Sequence, residues 1–280
     1  MRNMARRLLI TAGFAVVFGL TAPHAWASGC DLYTLSSSCA FNGGVFNVVG
    51  PQPTGTGTIN SFLRVQQKGA EEGFNTGFRP MACDGRTCDD KTDPNYTRNL
   101  LSSAVPTQNG FRQFFLDINE PGTVTGNQNL LTLDKLEVYV SNSPDLNTHT
   151  TGVPDSLTGA TQVYDMETGN TDNWVNLDYN LVGGGSGKGD MVLFVPDSPL
   201  FTSNSYVYLY SEFGCGATFT ASMSCGNGAN TKYQSQAGFE EWWVASANNT
   251  TTTPGVPEPA TLLLCGTGLM LARRYRRRLV

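Results

Sequence analysis

Residues 174–195 read Trp-Val-Asn-Leu-Asp-Tyr-Asn-Leu-Val-Gly-Gly-Gly-Ser-Gly-Lys-Gly-Asp-Met-Val-Leu-Phe-Val. The first eight alternate, with Val175, Leu177, Tyr179 and Leu181 on one side of an extended chain, the period of a half-buried strand. Residues 191–195 are continuously apolar, as in a strand buried on both faces. Between them, Gly183, Gly184, Gly185, Ser186, Gly187, Lys188 and Gly189 read as a flexible hairpin loop.

The same grammar extends outward in both directions. Residues 111–118 form a dense aromatic and aliphatic run. Residues 130–140 place Leu136, Val138 and Val140 on one face and Lys135, Glu137 and Tyr139 on the other. Residues 205–213 and 239–244 complete the strong set, and 44–49, 59–65, 162–166 and 217–223 are weaker candidates. Turn chemistry such as Asn119-Glu120-Pro121-Gly122 separates them. No fixed repeat and no strong helix-length amphipathic pattern occurs. Many short strands between polar turns predict an all-β fold, an antiparallel β-sandwich or jelly-roll-like body, over residues 28–245.

Charge and cysteines describe the compartment. Eight of the 18 basic residues lie in the two chain ends, which leaves 10 against 22 acids and a body of about −12. That balance argues against a nucleic-acid partner. Cys265 falls in an apolar tail. The other six cysteines form local couples, Cys30/Cys39, Cys83/Cys88 and Cys215/Cys225, an even count that in an exported chain reads as disulfides. Zinc is the weaker reading, because no Cys-x2-Cys occurs and His149 is the only histidine of the body.

Both ends read as addresses. Residues 1–27 carry Arg2, Arg6 and Arg7, an apolar run over 8–20, and Ala25-Trp26-Ala27, which predicts cleavage between Ala27 and Ser28. Residues 246–255, SANNTTTTPG, have nothing to bury and read as a polar Thr-rich linker. Residues 256–280 hold Pro257-Glu258-Pro259, an apolar stretch and the cluster Arg273, Arg274, Arg276, Arg277 and Arg278. Residues 260–272 as a helix cover only about 20 Å of a hydrocarbon core of about 30 Å, a short transmembrane helix that needs snorkelling arginines. After Sec export the basic cluster would face the cytoplasm.

This ordered tail resembles the PEP-CTERM sorting domain of Gram-negative bacteria. The resemblance covers about the last 25 residues, and residues 111–244 also look similar to ectodomains that precede such tails. It implies recognition by an exosortase, a membrane-embedded transpeptidase-like protease that acts near Pro257, Glu258 and Pro259. The chain would be held transiently in the inner membrane and then delivered to the cell surface or an exopolysaccharide matrix.

Tests for chemistry leave little. The glycine run is no phosphate loop: Val182 stands where the first glycine is required, and Gly189 where Ser or Thr is required. A hydrolase triad would depend on His149, read here as a solvated loop residue, and no Gly-x-Ser-x-Gly elbow occurs. Adjacent Glu240 and Glu241 point to opposite faces of a strand and cannot flank one glycosidic bond. Asp117, Asn119 and Glu120, with Asp134 nearby in sequence, are a candidate calcium set; Asp165, Glu167, Asp172 and Asn173 are a second polar group. Hydrated turns are the commoner use of both. Tyr206, Tyr208 and Tyr210 share a strand face, where cross-strand packing is the commoner reading and a sugar-stacking platform the alternative. The expectation is a non-catalytic structural or adhesive protein without a required cofactor. A carbohydrate-binding module, with extracellular polysaccharide as partner, is the first alternative and a secreted glycoside hydrolase the second.

Overall fold

The computed structural model describes residues 27–49, 59–83, 86–150, 155–167, 171–185, 187–214, 233–236 and 238–245. The signal as far as residue 26, the linker, the sorting tail with its apolar stretch and the candidate strand at 217–223 lie outside the described residues.

Two of the three expected cysteine couples, Cys30–Cys39 and Cys83–Cys88, fall among the described residues, and both are bonded as expected. The third expected bond, Cys215 to Cys225, is not among them, because Cys215 and Cys225 both lie outside the described residues.

The described chain is all-β, with two short 3-10 turns and no α-helix among the described residues. No helix there is long and apolar enough to cross a membrane. Numbered along the chain, one seven-stranded sheet runs β1 (Ala27–Leu32), β16 (Asp172–Asp178), β12 (Leu130–Ser141), β18 (Tyr206–Phe213) and β6 (Glu71–Phe74). In it β15 (Thr161–Asp165) also pairs with β12, and β9 (Leu100–Leu101) with β18. A second seven-stranded sheet runs β2 (Ser38–Phe41), β3 (Gly44–Val48), β17 (Met191–Pro196), β11 (Phe111–Asp117), β20 (Glu240–Trp243) and β4 (Ser61–Val65), with β10 (Thr107–Gln108) on β11. A four-stranded sheet orders β14 (Ser156–Leu157), β13 (Thr148–Thr150), β7 (Ala82–Cys83) and β8 (Arg86–Thr87). Two residues each of β5 (Lys68–Gly69) and β19 (Ser235–Gln236) form a small ribbon. Pairing is antiparallel except between β1 and β16 and between β13 and β7.

The two large sheets share one core. Leu131, Leu133, Leu136, Val138, Val175, Val207 and Leu209 from the first meet Phe46, Phe62, Phe114, Leu116, Leu193 and Trp242 from the second. Burying such side chains is the main term that holds the layers together, roughly 1.5–3 kcal/mol for each large one. The Cys30–Cys39 disulfide, at 2.08 Å, joins β1 of one sheet to β2 of the other. Two-residue Asn-Gly turns with positive φ, Asn42-Gly43 and Asn109-Gly110, close the β2–β3 and β10–β11 hairpins.

One prediction about the glycine run fails. Residues 179–190 do not close a hairpin, because β16 and β17 lie in different sheets. The run crosses between the layers and is tied down there. The Gly187 amide donates to Asp117 Oδ2 at 2.8 Å, and Lys188 Nζ donates to the Gly183 carbonyl at 2.7 Å. Glycine lets the backbone approach a buried carboxylate that a loop of bulkier residues would cover.

Candidate functional site

The alternation of β12 decides where its polar residues go. A bulge between Leu133 and Lys135 adds one residue, Asp134, opposite β18. The shift keeps Leu131 and Leu133, then Leu136, Val138 and Val140, on the core side. Lys135, Glu137 and Tyr139 therefore face outward from the two-sheet core. They do not reach solvent, since the four-stranded sheet lies over them and forms a second core with Phe74, Met81, Cys83, Cys88, Tyr139, Leu157, Tyr208 and Tyr210. The Cys83–Cys88 disulfide, at 2.13 Å, closes the β7–β8 turn of this cover.

Within this second core sits a polar constellation. Glu137, fully buried, has Tyr139 donating to its Oε2 at 2.7 Å and His149 Nε2 at 2.7 Å from the same oxygen. Its other oxygen, Oε1, lies 3.9 Å from Lys135 Nζ. Lys135 Nζ is also 2.5 Å from Asp155 Oδ2 and 3.6 Å from Glu167 Oε2. His149 stacks on Tyr210, whose hydroxyl donates to Glu72. Burial, followed by the neighbouring Asp155 carboxyl, pushes Glu137 up to about 9. Burial likewise raises Glu167 to about 8 and Asp165 to about 6, against the opposing Lys135 charge. The three carboxylates around Lys135 outweigh its own burial and hold it firmly as the ammonium.

These positions revise several expectations. His149, read as a solvated loop residue, has 0% exposure and is clamped between Tyr210 and Glu137, because β13 carries it into the cover sheet. Tyr208 and Tyr210 are sealed in the second core and Tyr206 packs at its edge, so this stripe offers no open sugar platform. Val207 and Leu209 enter the main core from the opposite face, the cross-strand packing expected of such a strand. Glu240 and Glu241 also point to opposite sides: Glu241 pairs with Arg64 at 2.5 Å, while Glu240 faces Glu71.

Of the candidate calcium set, the Asn119 side chain hydrogen-bonds Asp117, but the carboxylates of Asp117, Glu120 and Asp134 do not gather within 4.8 Å of one another. Asp117 accepts from the Gly187 amide and Glu120 from the Gln236 amide, Asn119 donates to the Phe239 carbonyl, and Asp134 is the extra residue of the bulge. Among the described residues, the carboxylates close enough to hold one ion are those of Glu137, Asp155 and Asp165, within 4.8 Å of one another. Only Asp165 of these stands out in the sequence. Glu137 is legible there as a strand residue but not as a ligand, and Asp155 is a lone acid before a two-residue strand. The Lys135 ammonium already supplies positive charge to this cluster, so a metal ion would have to displace it.

Comparison with protein-family models, with curated proteins and with solved structures finds no match for this chain.

Proposed function

We propose that this chain is an exported surface or matrix protein of the PEP-CTERM type, whose ectodomain is structural or adhesive and not catalytic. The observation that carries this reading is the order of elements at the C-terminus: Pro257-Glu258-Pro259, a short apolar stretch, then Arg273, Arg274, Arg276, Arg277 and Arg278, behind an N-terminal export signal. On this reading the two large sheets are a jelly-roll-like sandwich, residues 260–272 are a short membrane helix, and an exosortase is the processing partner. Two disulfides suit an oxidising compartment. The only histidine of the body is walled off from any substrate, which supports a non-catalytic role.

Localisation of the full chain in an exosortase-bearing Gram-negative host tests this. The wild-type protein should be recovered at the cell surface or in the matrix, with residues 273–278 removed. P257A/E258A should stay in the inner-membrane fraction with its arginines attached. Surface delivery of the variant at the wild-type level, or recovery of surface protein that retains Arg273–Arg278, sinks the proposal.

A further inference from the structure

Lys135 and Asp155 meet in an arrangement that an ordinary ion pair does not require. Both side chains are nearly closed to solvent, at 3% and 6% exposure. Nζ comes to 2.5 Å from Oδ2, at the short end of charge-assisted contacts. The carboxyl carbon is one bond further, so Nζ lies within ~3.7 Å of it, close to the separation of a near-attack pair.

Glu137 stands beside both groups, with one oxygen anchored by Tyr139 and His149 and the other turned toward Lys135. An amine, a carboxyl and a third, held carboxyl are the parts needed to join the first two. We propose that Lys135 and Asp155 condense within the folded chain to an amide between Nζ and the Asp155 side-chain carboxyl carbon, with Glu137 carrying the proton between them.

The step balances without any outside reagent. The ammonium gives one proton to Glu137, and the freed Nζ lone pair attacks the Asp155 carboxyl carbon. The carbon–oxygen bond to one carboxyl oxygen breaks, and that oxygen leaves as water with two of the original ammonium hydrogens, one returned through Glu137. The third hydrogen remains as the amide N–H, so one ammonium and one carboxylate become one amide and one water. A buried site favours this direction because water, the reverse reactant, is largely excluded. The surrounding carboxylates hold Lys135 protonated, so a proton acceptor is required. Burial brings Glu137 to about 9, closer to an amine than an ordinary carboxylate is; it is its ionised form, whose share grows as pH rises toward 9, that takes the proton and then returns it.

The link would tie the central strand β12 to the residue that leads into β14, and so fasten the cover sheet to the body. For a protein exposed outside the cell, that is a covalent clasp independent of its disulfides.

Trypsin digestion and mass spectrometry of the purified full chain test the proposal. Lys135 is the only lysine or arginine between Arg112 and Lys188. A bonded Lys135 resists trypsin, so residues 113–188 should appear as one peptide lighter by one water than their sequence. Recovery of 113–135 and 136–188 as separate peptides at full mass from the wild-type protein overturns the proposal, and leaves Lys135 and Asp155 as an ion pair only. K135R and D155A should both lack the loss of water, and its persistence in either also overturns it. E137Q, folded by circular dichroism, should yield mostly the unlinked peptides; linkage equal to wild type would remove Glu137 from the step.

Discussion

His149 and Tyr210 stack with ring centroids 3.7 Å apart and planes inclined by 12°. The contact joins two sheets, since Tyr210 belongs to the central β18 and His149 to the cover strand β13. It also aims His149 Nε2 at Glu137. Replacement by alanine removes a buried ring and withdraws a partner from a buried carboxyl. H149A should therefore lose about 3–5 kcal/mol of unfolding free energy. Y210F, which loses only the hydroxyl facing Glu72, should lose about 1–2 kcal/mol. Urea titrations of both variants check the ranking, and equal losses would contradict it.

Buried carboxylates set a pH dependence of definite sign. Burial raises Asp117 to about 7, opposed by the Gly187 amide, and Glu120 to about 7, opposed by the Gln236 amide. Each then holds its proton more tightly when folded than when unfolded. Stability is complete below the ordinary carboxylate range near pH 4. It falls as pH rises toward 7, by up to about 1.4 kcal/mol per pH unit for each group, and levels off above. The melting temperature should be higher at pH 5 than at pH 8. D117N should flatten the slope, and a melting temperature that rose with pH in the wild-type protein would refute the assignment.

How much of this is legible in sequence depends on where each residue finds its partner. The alternation of 130–140 and 174–181 is local, and β12 and β16 follow from it. The same holds for the tyrosine stripe, whose two faces separate as the period requires. What the period cannot say is whether the second face meets water or protein. Lys135, Glu137 and His149 look like surface residues until a cover built from strands of two or three residues is laid over them, and such strands carry no periodic signal. β6, Glu71-Glu72-Gly73-Phe74, is invisible for a related reason: it pairs with β18 across more than 130 residues of chain and buries two glutamates. The Asn42-Gly43 and Asn109-Gly110 pairs are available hairpin signals. Local spacing also serves the cysteines, since Cys30–Cys39 and Cys83–Cys88 close as neighbours in sequence.

Gly214 and Gly110 share a φ of +81° but differ in surroundings. A Cβ on Gly110 meets nothing within 4 Å, whereas one on Gly214 would lie 2.1 Å from the Gly69 carbonyl oxygen and 2.8 Å from the Ser235 amide nitrogen. G110A should cost only the conformational strain, about 1 kcal/mol. G214A adds a clash with backbone that cannot rotate away, and should cost about 3 kcal/mol or more. Thermal unfolding of the two variants separates strain from crowding, and equal losses would show that the ribbon of β5 and β19 yields freely.

The two described disulfides differ in what they hold. Cys30–Cys39 spans nine residues and bridges the edges of the large sheets; Cys83–Cys88 spans five and closes a turn of the cover. Loop entropy gives both a similar contribution, about 2–3 kcal/mol each. Location should separate their effects. C83S/C88S frees the β7–β8 turn beside β13, so amide hydrogen exchange should quicken first around His149 and leave β11 and β17 protected. C30S/C39S should instead loosen β1, which is held in its sheet through its parallel pairing with β16. If the clasp between Lys135 and Asp155 forms, the cover should remain partly protected in C83S/C88S and lose that protection when D155A is added. Exchange in the triple variant no faster than in C83S/C88S would show that the clasp contributes nothing to holding the cover.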